Sequence, residues 1–387
     1  MKAGWEYKHI GDLCEVIAGQ SPEGKFYNSE GNGLPFYQGK KDFGEKFIEA
    51  PTSWTTQTTK VAREGDILMS VRAPVGPVNF AAEEICIGRG LAAIRSKGEL
   101  DREFLYYQLL HLQPKIAGKE GAVFASINKS EISALPIVFA PLPEQQRIVA
   151  ILDEAFEGIA IAKVNAEKNL QNARALFESH LHEVFSERGE GWVDRQLSSL
   201  CHEITVGHVG SMATKYKESG VPFLRSQNIR PFAVSLDNVV YIDEEFHRSL
   251  NKSRLRPGDL AIVRTGYPGT AAVIPSNLPD SNCSDLVIVR PSKEVSPHFL
   301  AAFFNSAFGK QLVLGKIVGA AQKHFNVTAA KEVMLHVPPM SVQLAIIDRI
   351  DLFRDETQHL ESIYQQKLAA LDALKKSLLD QAFRGEL

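Results

Sequence analysis

Pro141-Leu-Pro-Glu-Gln-Gln-Arg147 opens a stretch that this chain uses twice, and the reading of that stretch decides the fold. From Glu144 to Phe185 it holds one glycine, Gly158, and no proline. A second copy opens Pro339-Met-Ser-Val-Gln-Leu344 and runs to Phe383. Pro141 with Pro339, Gln145 with Gln343, Ile148 with Ile346, Asp153 with Asp351, Leu176 with Leu374, Ser179 with Ser377 and Phe185 with Phe383 share one separation of 198 positions. In each copy a proline stands ahead of good helix formers, which predicts helices over 144–185 and 342–383, each about 60 Å long at 1.5 Å per residue.

The hydrophobic period says what these helices pack against. Taken alternately three and four apart, the second copy reads Ile350, Phe353, Thr357, Leu360, Tyr364, Lys367, Leu371, Leu374, Leu378, Gln381, which is a heptad seam. The equivalent row of the first copy reads Leu152, Ala155, Ile159, Ala162, Ala166, Asn169, Ala173, Leu176, His180, Glu183. One row is bulky where the other is small, so the two helices are expected to pack on each other. The other reading is that each lies on its own neighbouring domain.

The repeat extends beyond the helices. Trp5 and Trp192, Leu13-Cys14 and Leu200-Cys201, and Gly33-x-Pro35-Phe36 and Gly220-x-Pro222-Phe223 are 187 positions apart. Gly65-Asp66 and Gly258-Asp259 are 193 apart, Arg95 and Arg290 195, and Gly121-Ala122 and Asn128 stand 198 before Gly319-Ala320 and Asn326. The separation therefore grows across the lobes and stops growing at the helices. A helix that fixes a distance resists insertion, whereas loops accept it.

Each lobe reads as short strands with a helix. Ile67–Val71 and Leu91–Ile94 in the first match Leu260–Val263 and Leu286–Val289 in the second, followed by helices over 103–112 and 297–308. The expected organisation is α+β: lobe 1–140, helix 141–187, lobe 188–338, helix 339–387. With that order the second helix runs back along the first, giving an antiparallel pair with a pseudo-twofold axis and one lobe at each end.

At 387 residues and 44% hydrophobic content, the chain is long enough for two or three domains of a globular protein. No apolar run approaches a membrane span of about 20 residues and the first residues do not read as a signal peptide, so a cytoplasmic location is expected. Cys14, Cys86, Cys201 and Cys283 form no C-x-x-C, which points to free thiols rather than zinc or disulfides. The net charge of -3 does not by itself suggest nucleic acid, so any basic surface must be local or shared with a partner.

The sequence resembles the specificity subunits of type I restriction-modification enzymes, in which two variable target-recognition domains alternate with two conserved helical regions. The resemblance rests on Pro141 to Arg147, on Leu378-Leu-Asp-Gln-Ala-Phe-Arg-Gly-Glu-Leu387, on the run Gly258 to Arg264, and on Gly319-Ala-Ala-Gln322 before Asn326. It covers essentially the whole chain. It implies a non-catalytic DNA-recognition subunit that binds double-stranded DNA at two short half-sites. It also implies partners: two methyltransferase subunits and, through them, ATP-driven restriction subunits. No cofactor or metal is called for.

Within that frame, Arg225, Gln227 and Asn228 follow a strand, and Arg264 and Tyr267 sit in a glycine-bearing turn after another. Arg can bond guanine in bidentate fashion, and Gln or Asn adenine. The counterparts in the first lobe are Tyr37, Gln38, Lys40 and Lys41, then Arg72. Lys119 and Lys129, with Lys316, Lys323 and His324, flank the Gly-Ala turns, where phosphate contact is the better fit. Arg72 and Arg264 also fit as structural residues at strand ends. On the helix flanks Glu154, Glu157, Lys163, Glu167, Lys168 and Arg174 are candidates for docking the methyltransferases, or simply a solvated face.

Catalytic motifs are missing or out of context. Gly19 to Lys25 has Walker A spacing, but Phe26 stands where the Mg²⁺-binding hydroxyl belongs. Gly88-Arg-Gly90-Leu-Ala-Ala93 fits G-x-G-x-x-A, but a strand follows it rather than a helix. There is no Asn- or Asp-Pro-Pro-aromatic tetrapeptide to hold a flipped base, no His-Glu-x-x-His and no Gly-x-Ser-x-Gly. Two rivals remain: a coiled-coil interaction scaffold with ligand-binding lobes and no DNA, and the recognition part of a single-chain restriction-methylation enzyme, which needs catalytic sequence that this chain lacks.

Overall fold

The first long helix runs Leu142–Ser186 and the second Met340–Arg384, 45 residues each. Each begins where a proline fixes φ and offers its carbonyl to the first turn: Pro141 O accepts from Glu144 and Gln145, and Pro339 O from Val342 and Gln343, at 2.9–3.1 Å. The structure, a computed structural model, describes residues 4–117, 126–187, 189–315 and 324–387. The chain divides into two compact units, Met1–Ala166 with Gln366–Leu387, and Glu167–Gln365.

In the first unit a four-stranded antiparallel sheet has the order Cys14–Ala18, Leu91–Ser96, Ile67–Ser70, Val78–Phe80. A second sheet is built on Leu34–Tyr37, which runs parallel to Ile85–Ile87. The helix Arg102–Ala117 covers the first sheet; its Phe104, Leu105 and Leu109 are fully buried with Ile67, Met69, Phe80 and Ile94. Ile148, Leu152, Leu379 and Ala382 join the same core.

The second unit repeats the plan. Its four-stranded sheet runs Cys201–Val206, Leu286–Pro291, Leu260–Val263, Ala271–Val273. Its second sheet pairs Val221–Leu224 in parallel with Ser281–Cys283. Here the covering helix is broken in two, Pro297–Asn305 and Ala307–Gly315, at Ser306, whose hydroxyl receives Gly309 N–H. Phe299, Phe303 and Phe304 fill the core together with Leu181, Phe185 and Ile350. Of the four cysteines, all free, Cys14, Cys86 and Cys283 are buried and Cys201 is half-buried.

The helices run antiparallel within each unit. In the first, Lys163 pairs with Asp372 and Lys375 lies 4.7 Å over the Phe156 ring; in the second, Arg174 Nε meets Glu361 Oε2 at 3.0 Å and His180 lies 4.8 Å from the Phe353 ring. The row Leu152, Ile159, Ala166, Ala173 is buried as expected, and Ile350 and Thr357 answer it, with Phe353, Tyr364, Leu371 and Leu378 half-buried. In the other row Ala155, Ala162, Phe353 and Gln381 are half-buried as expected, but elsewhere the burial moves one residue further on than the 3–4 spacing predicts. Phe156, Lys163, Leu170 and Phe177 are half-buried, as are Arg354, Glu361, Leu368 and Lys375, whereas Leu176, Leu360 and Leu374 stay 52%, 39% and 47% exposed. The physical reason is visible in the side chains of that row: Lys163 and Glu361 pair across the seam with Asp372 and Arg174, and Lys375 lies over Phe156, so long charged stems cover the seam where apolar ones were expected. Lys163 and Arg174 are thus engaged between the helices, while Glu154, Glu157, Glu167 and Lys168 are exposed.

Candidate nucleic-acid interface

Three strand ends meet in each unit, and backbone hydrogen bonds hold them together. In the first unit, Gly88 N–H donates to Tyr37 O at 2.8 Å, Gly90 N–H to Gln38 O at 3.1 Å and Val71 N–H to Gly90 O at 3.0 Å. The ends of Leu34–Tyr37, Ile85–Ile87 and Ile67–Ser70 are thereby brought side by side. Gln38, Lys40, Lys41 and Arg72, which the sequence singles out, emerge there and are exposed. Ile127 N–H donates to Val71 O at 3.1 Å and Arg72 bridges Ser126, so the exposed Lys129 begins a short helix beside them. Asn128 caps that helix by accepting from Glu131 N–H at 3.0 Å.

In the second unit the corresponding bonds are Ser284 N–H to Leu224 O at 3.0 Å and Arg264 N–H to Asp285 O at 3.3 Å. Beside them lies a groove of about 700 Å³ that takes in Gln227, Arg230, Thr265, Tyr267 and Lys310. Tyr267 is 84% exposed. It sits in a turn that Gly266 enters at φ +81°, in the left-handed region where a side chain is strained. Phe325 N–H donates to Arg264 O at 3.2 Å, which places the half-buried His324 near the same edge.

Each unit thus presents basic and polar side chains at one sheet edge, joined in the second unit by the exposed Tyr267. The model of the type I restriction modification DNA specificity domain matches residues 2–172. A specificity subunit of Methanocaldococcus jannaschii named for the type I restriction enzyme MjaX is 40% identical over 174 residues, 44% of this chain and 40% of that one. Over residues 2–172 this chain is thus similar to the specificity subunits of type I restriction-modification enzymes.

Other curated specificity subunits extend the likeness over more of its length. The Escherichia coli EcoKI specificity subunit is 25% identical over 69% of this chain and 61% of its own. The M. jannaschii MjaIX specificity subunit is 20% identical over 99% and 93%. The match thus spans less than two thirds of the MjaX and EcoKI subunits. The fold is that of a chain from a solved type I restriction-modification system, at a TM-score of 0.83 and 20% identity over 100% of this chain and 99% of that one. The HsdS subunit of Thermoanaerobacter tengcongensis follows at 0.63 and 19% identity, over 100% and 98%. Among the described residues no helix is long and apolar enough to cross a membrane, and no group of His, Cys, Asp and Glu is placed to hold a metal.

Not every candidate residue of the sequence belongs to this edge. Tyr37 is 2% exposed and its hydroxyl donates to Glu49 O at 2.8 Å; burial, with Glu83 and Asp42 nearby, pushes its pKa up to about 12. Asn228 is fully buried, donating to Ser235 O and Asp237 O and accepting from Arg225 N–H. Both are scaffold, because a side chain whose polar atoms are already paired in the interior has nothing to offer a base edge. Arg225 is half-buried, its guanidinium donating to Asn238 O at 3.0 Å and lying 5.8 Å from the Tyr216 ring. Gln227 is exposed and donates to the same carbonyl at 3.3 Å. Arg264 is half-buried and donates through Nε to Phe325 O at 3.3 Å, the strand-end role weighed for it. Lys119, Lys316 and Lys323, with the Gly121-Ala122 and Gly319-Ala320 turns, lie outside the described residues. Arg89, Arg230 and Lys310 also belong to the edge, although the sequence alone does not single them out as DNA contacts. Only the G-x-G around Arg89 carried a signal, and it pointed to nucleotide binding.

Proposed function

We propose that this chain reads double-stranded DNA at a bipartite, asymmetric site and directs methyltransferase subunits, and through them restriction subunits, to it. One observation carries the proposal: the two units build the same strand-end platform but present different side chains on it. Gln38, Lys40, Lys41 and Arg72 are exposed in one, Gln227, Arg230 and Tyr267 in the other. Two like frames with unlike faces suit two different short sequences. Arg and Gln have the donor and acceptor geometry for guanine and adenine in the major groove, while the lysines suit phosphates. The methylation, ATP hydrolysis and cleavage belong to the partner chains. The long helices, free of insertions relative to one another, set the number of unread base pairs between half-sites.

The test is selection of duplexes from a randomised library at low salt by the full-length chain with its methyltransferase subunit added. Two short blocks at a fixed spacing support the reading. Enrichment of a single block, or of none, overturns it. The alternative, a scaffold without DNA, predicts no retained duplex at any salt.

A further inference from the structure

Between the strands Ile85–Ile87 and Leu91–Ser96 the first unit makes the turn Gly88-Arg89-Gly90, and this turn is tied down from several directions. Besides the bonds of Gly88 and Gly90 to Tyr37 O and Gln38 O, Leu91 N–H donates to Gly88 O at 3.0 Å and Arg89 N–H to Ser21 Oγ at 3.2 Å. The packing is too close for side chains at its flanks. A Cβ at Gly90 would stand 2.3 Å from Gln38 O, and one at the neighbouring Gly19 2.2 Å from Gly88 O. Arg89 is the one residue of the turn with a side chain. It is exposed, and among the described residues its guanidinium makes no hydrogen bond or ion pair.

The second unit closes the same turn with one residue fewer. Gly19 N–H donates to Leu91 O in the first unit as Gly207 N–H donates to Leu286 O in the second, both at 2.9 Å. Between Gly88 and Leu91 stand Arg89 and Gly90; between Ser284 and Leu286 stands only Asp285, exposed and at φ +55°. The first unit therefore carries a cation, and the second an anion, at a place where the frames otherwise coincide.

We infer that Arg89 reads a guanine in the half-site of the first unit, a contact with no equivalent in the other half-site; this rests on the DNA-reading function proposed above. A planar guanidinium matches the O6 and N7 acceptors of guanine only in a narrow range of orientations. An immobilised backbone provides that orientation and lowers the ordering needed on binding. Lys40 and Lys41, point charges on the adjoining turn, are suited to the less demanding phosphates.

The experiment repeats the library selection with full-length wild type, Arg89→Ala and Arg89→Gln, thermal unfolding being recorded for each. The Arg89 side chain is exposed and makes no hydrogen bond or ion pair among the described residues, so unfolding midpoints match. Both variants lose the guanine preference at one position of one block, discrimination there falling about tenfold to a hundredfold, while the other block is unchanged. If the wild type selects a site and the variants keep every position of it, or lose affinity equally for all sequences, the assignment of Arg89 is overturned and the DNA-reading function stands. A wild type that selects nothing overturns that function and this inference together.

Discussion

Gln145 and Gln343 make the same three hydrogen bonds, one set in each unit. Both are fully buried. Gln145 Oε1 accepts from Asp101 N–H at 2.8 Å while Nε2 donates to Glu99 O and Ala140 O at 3.0 and 2.7 Å. Gln343 accepts from Ser296 N–H at 2.8 Å and donates to Glu294 O and Pro338 O at 3.1 and 2.9 Å. Each glutamine thus fastens the start of a long helix to the covering helix of its own unit. Replacing either by leucine leaves backbone groups buried without partners, so Gln145→Leu and Gln343→Leu each lower stability by about 1–3 kcal/mol. Denaturant titration measures this, and a loss below about 0.5 kcal/mol in either variant sinks the role.

This pair also explains what was legible in the sequence. Among the residues that recur at fixed separations, the polar pairs Gln145 and Gln343, Asp66 and Asp259, and Arg95 and Arg290 prove to be interior fastenings. Repetition in a duplicated chain preserves packing, so the two long helices were legible to within two residues at each end, and the strands Ile67–Ser70, Leu91–Ser96, Leu260–Val263 and Leu286–Pro291 with them. The edge proposed to read DNA is where the copies differ, and a difference carries no pattern: Arg89, Arg230 and Tyr267 have no repeat partners of like chemistry. Tyr37 and Asn228 were picked because they adjoin such differences, and their burial depends on long-range pairing that local sequence does not reveal. The seam failed in part of one row, because a 3–4 heptad and a 4–3 heptad share the same first row, and charged stems in the second row hide which is used.

Asp66 and Asp259 occupy equivalent turns but differ in their pairing. Arg95 grips Asp66 with both Nε and a terminal nitrogen, at 2.9 and 2.7 Å. Arg290 instead keeps Nε 3.5 Å from Asp259 and gives its terminal nitrogens to Glu203 and Arg254 O. Asp66→Asn therefore removes about 1.5–3 kcal/mol. Burial, only partly offset by Arg256 and Arg290, holds the Asp259 carboxyl above its ordinary 3.8. A raised carboxyl contributes most below that value and loses its contribution as pH rises through the folded pKa. Asp259→Asn escapes that loss, so its stability relative to wild type improves from pH 4 to pH 7, and equal deficits for the two variants at pH 7 would contradict the pairing described.

The corrected seam is checked by two truncations. Leu152 is fully buried and Leu176 is 52% exposed, although a 3–4 heptad gives both the same status. Leu152→Ala lowers stability by about 2–5 kcal/mol, whereas Leu176→Ala changes it by less than about 0.5 kcal/mol. Similar losses at the two positions, read by chemical denaturation, restore the 3–4 seam.

His180 makes the helix pair sensitive to acid. Its ring stands 4.8 Å from Phe353, and burial, reinforced by Arg349, holds its pKa below the ordinary 6.5. A depressed histidine leaves stability intact above the unfolded pKa and removes it as pH falls from 6.5 through the folded value, because the unfolded chain takes up the proton first. His180→Phe keeps the ring contact and has no proton to take, so its unfolding midpoint falls less than that of wild type between pH 7 and pH 5. Parallel curves for the two proteins exclude His180 as a source of the acid loss.

Tyr267 links the groove of the second unit to the proposed function. A tyrosine 84% exposed in a glycine turn adds little to folding, so Tyr267→Ala leaves stability within about 0.5 kcal/mol of wild type. Exposed aromatics gain by burial against a partner, and truncating one at the centre of an interface commonly costs more than 1 kcal/mol. With the duplex selected by wild type, fluorescence anisotropy is therefore expected to show affinity lower by about tenfold for Tyr267→Ala, with partial recovery in Tyr267→Phe, whose ring keeps the stacking face and lacks the hydroxyl. Lys310→Ala, on the same groove, weakens binding to all sequences alike and lowers its dependence on salt by about one unit of slope, since one fewer phosphate is neutralised. Undiminished affinity in both variants places the DNA elsewhere on this unit and removes the groove from the reading surface.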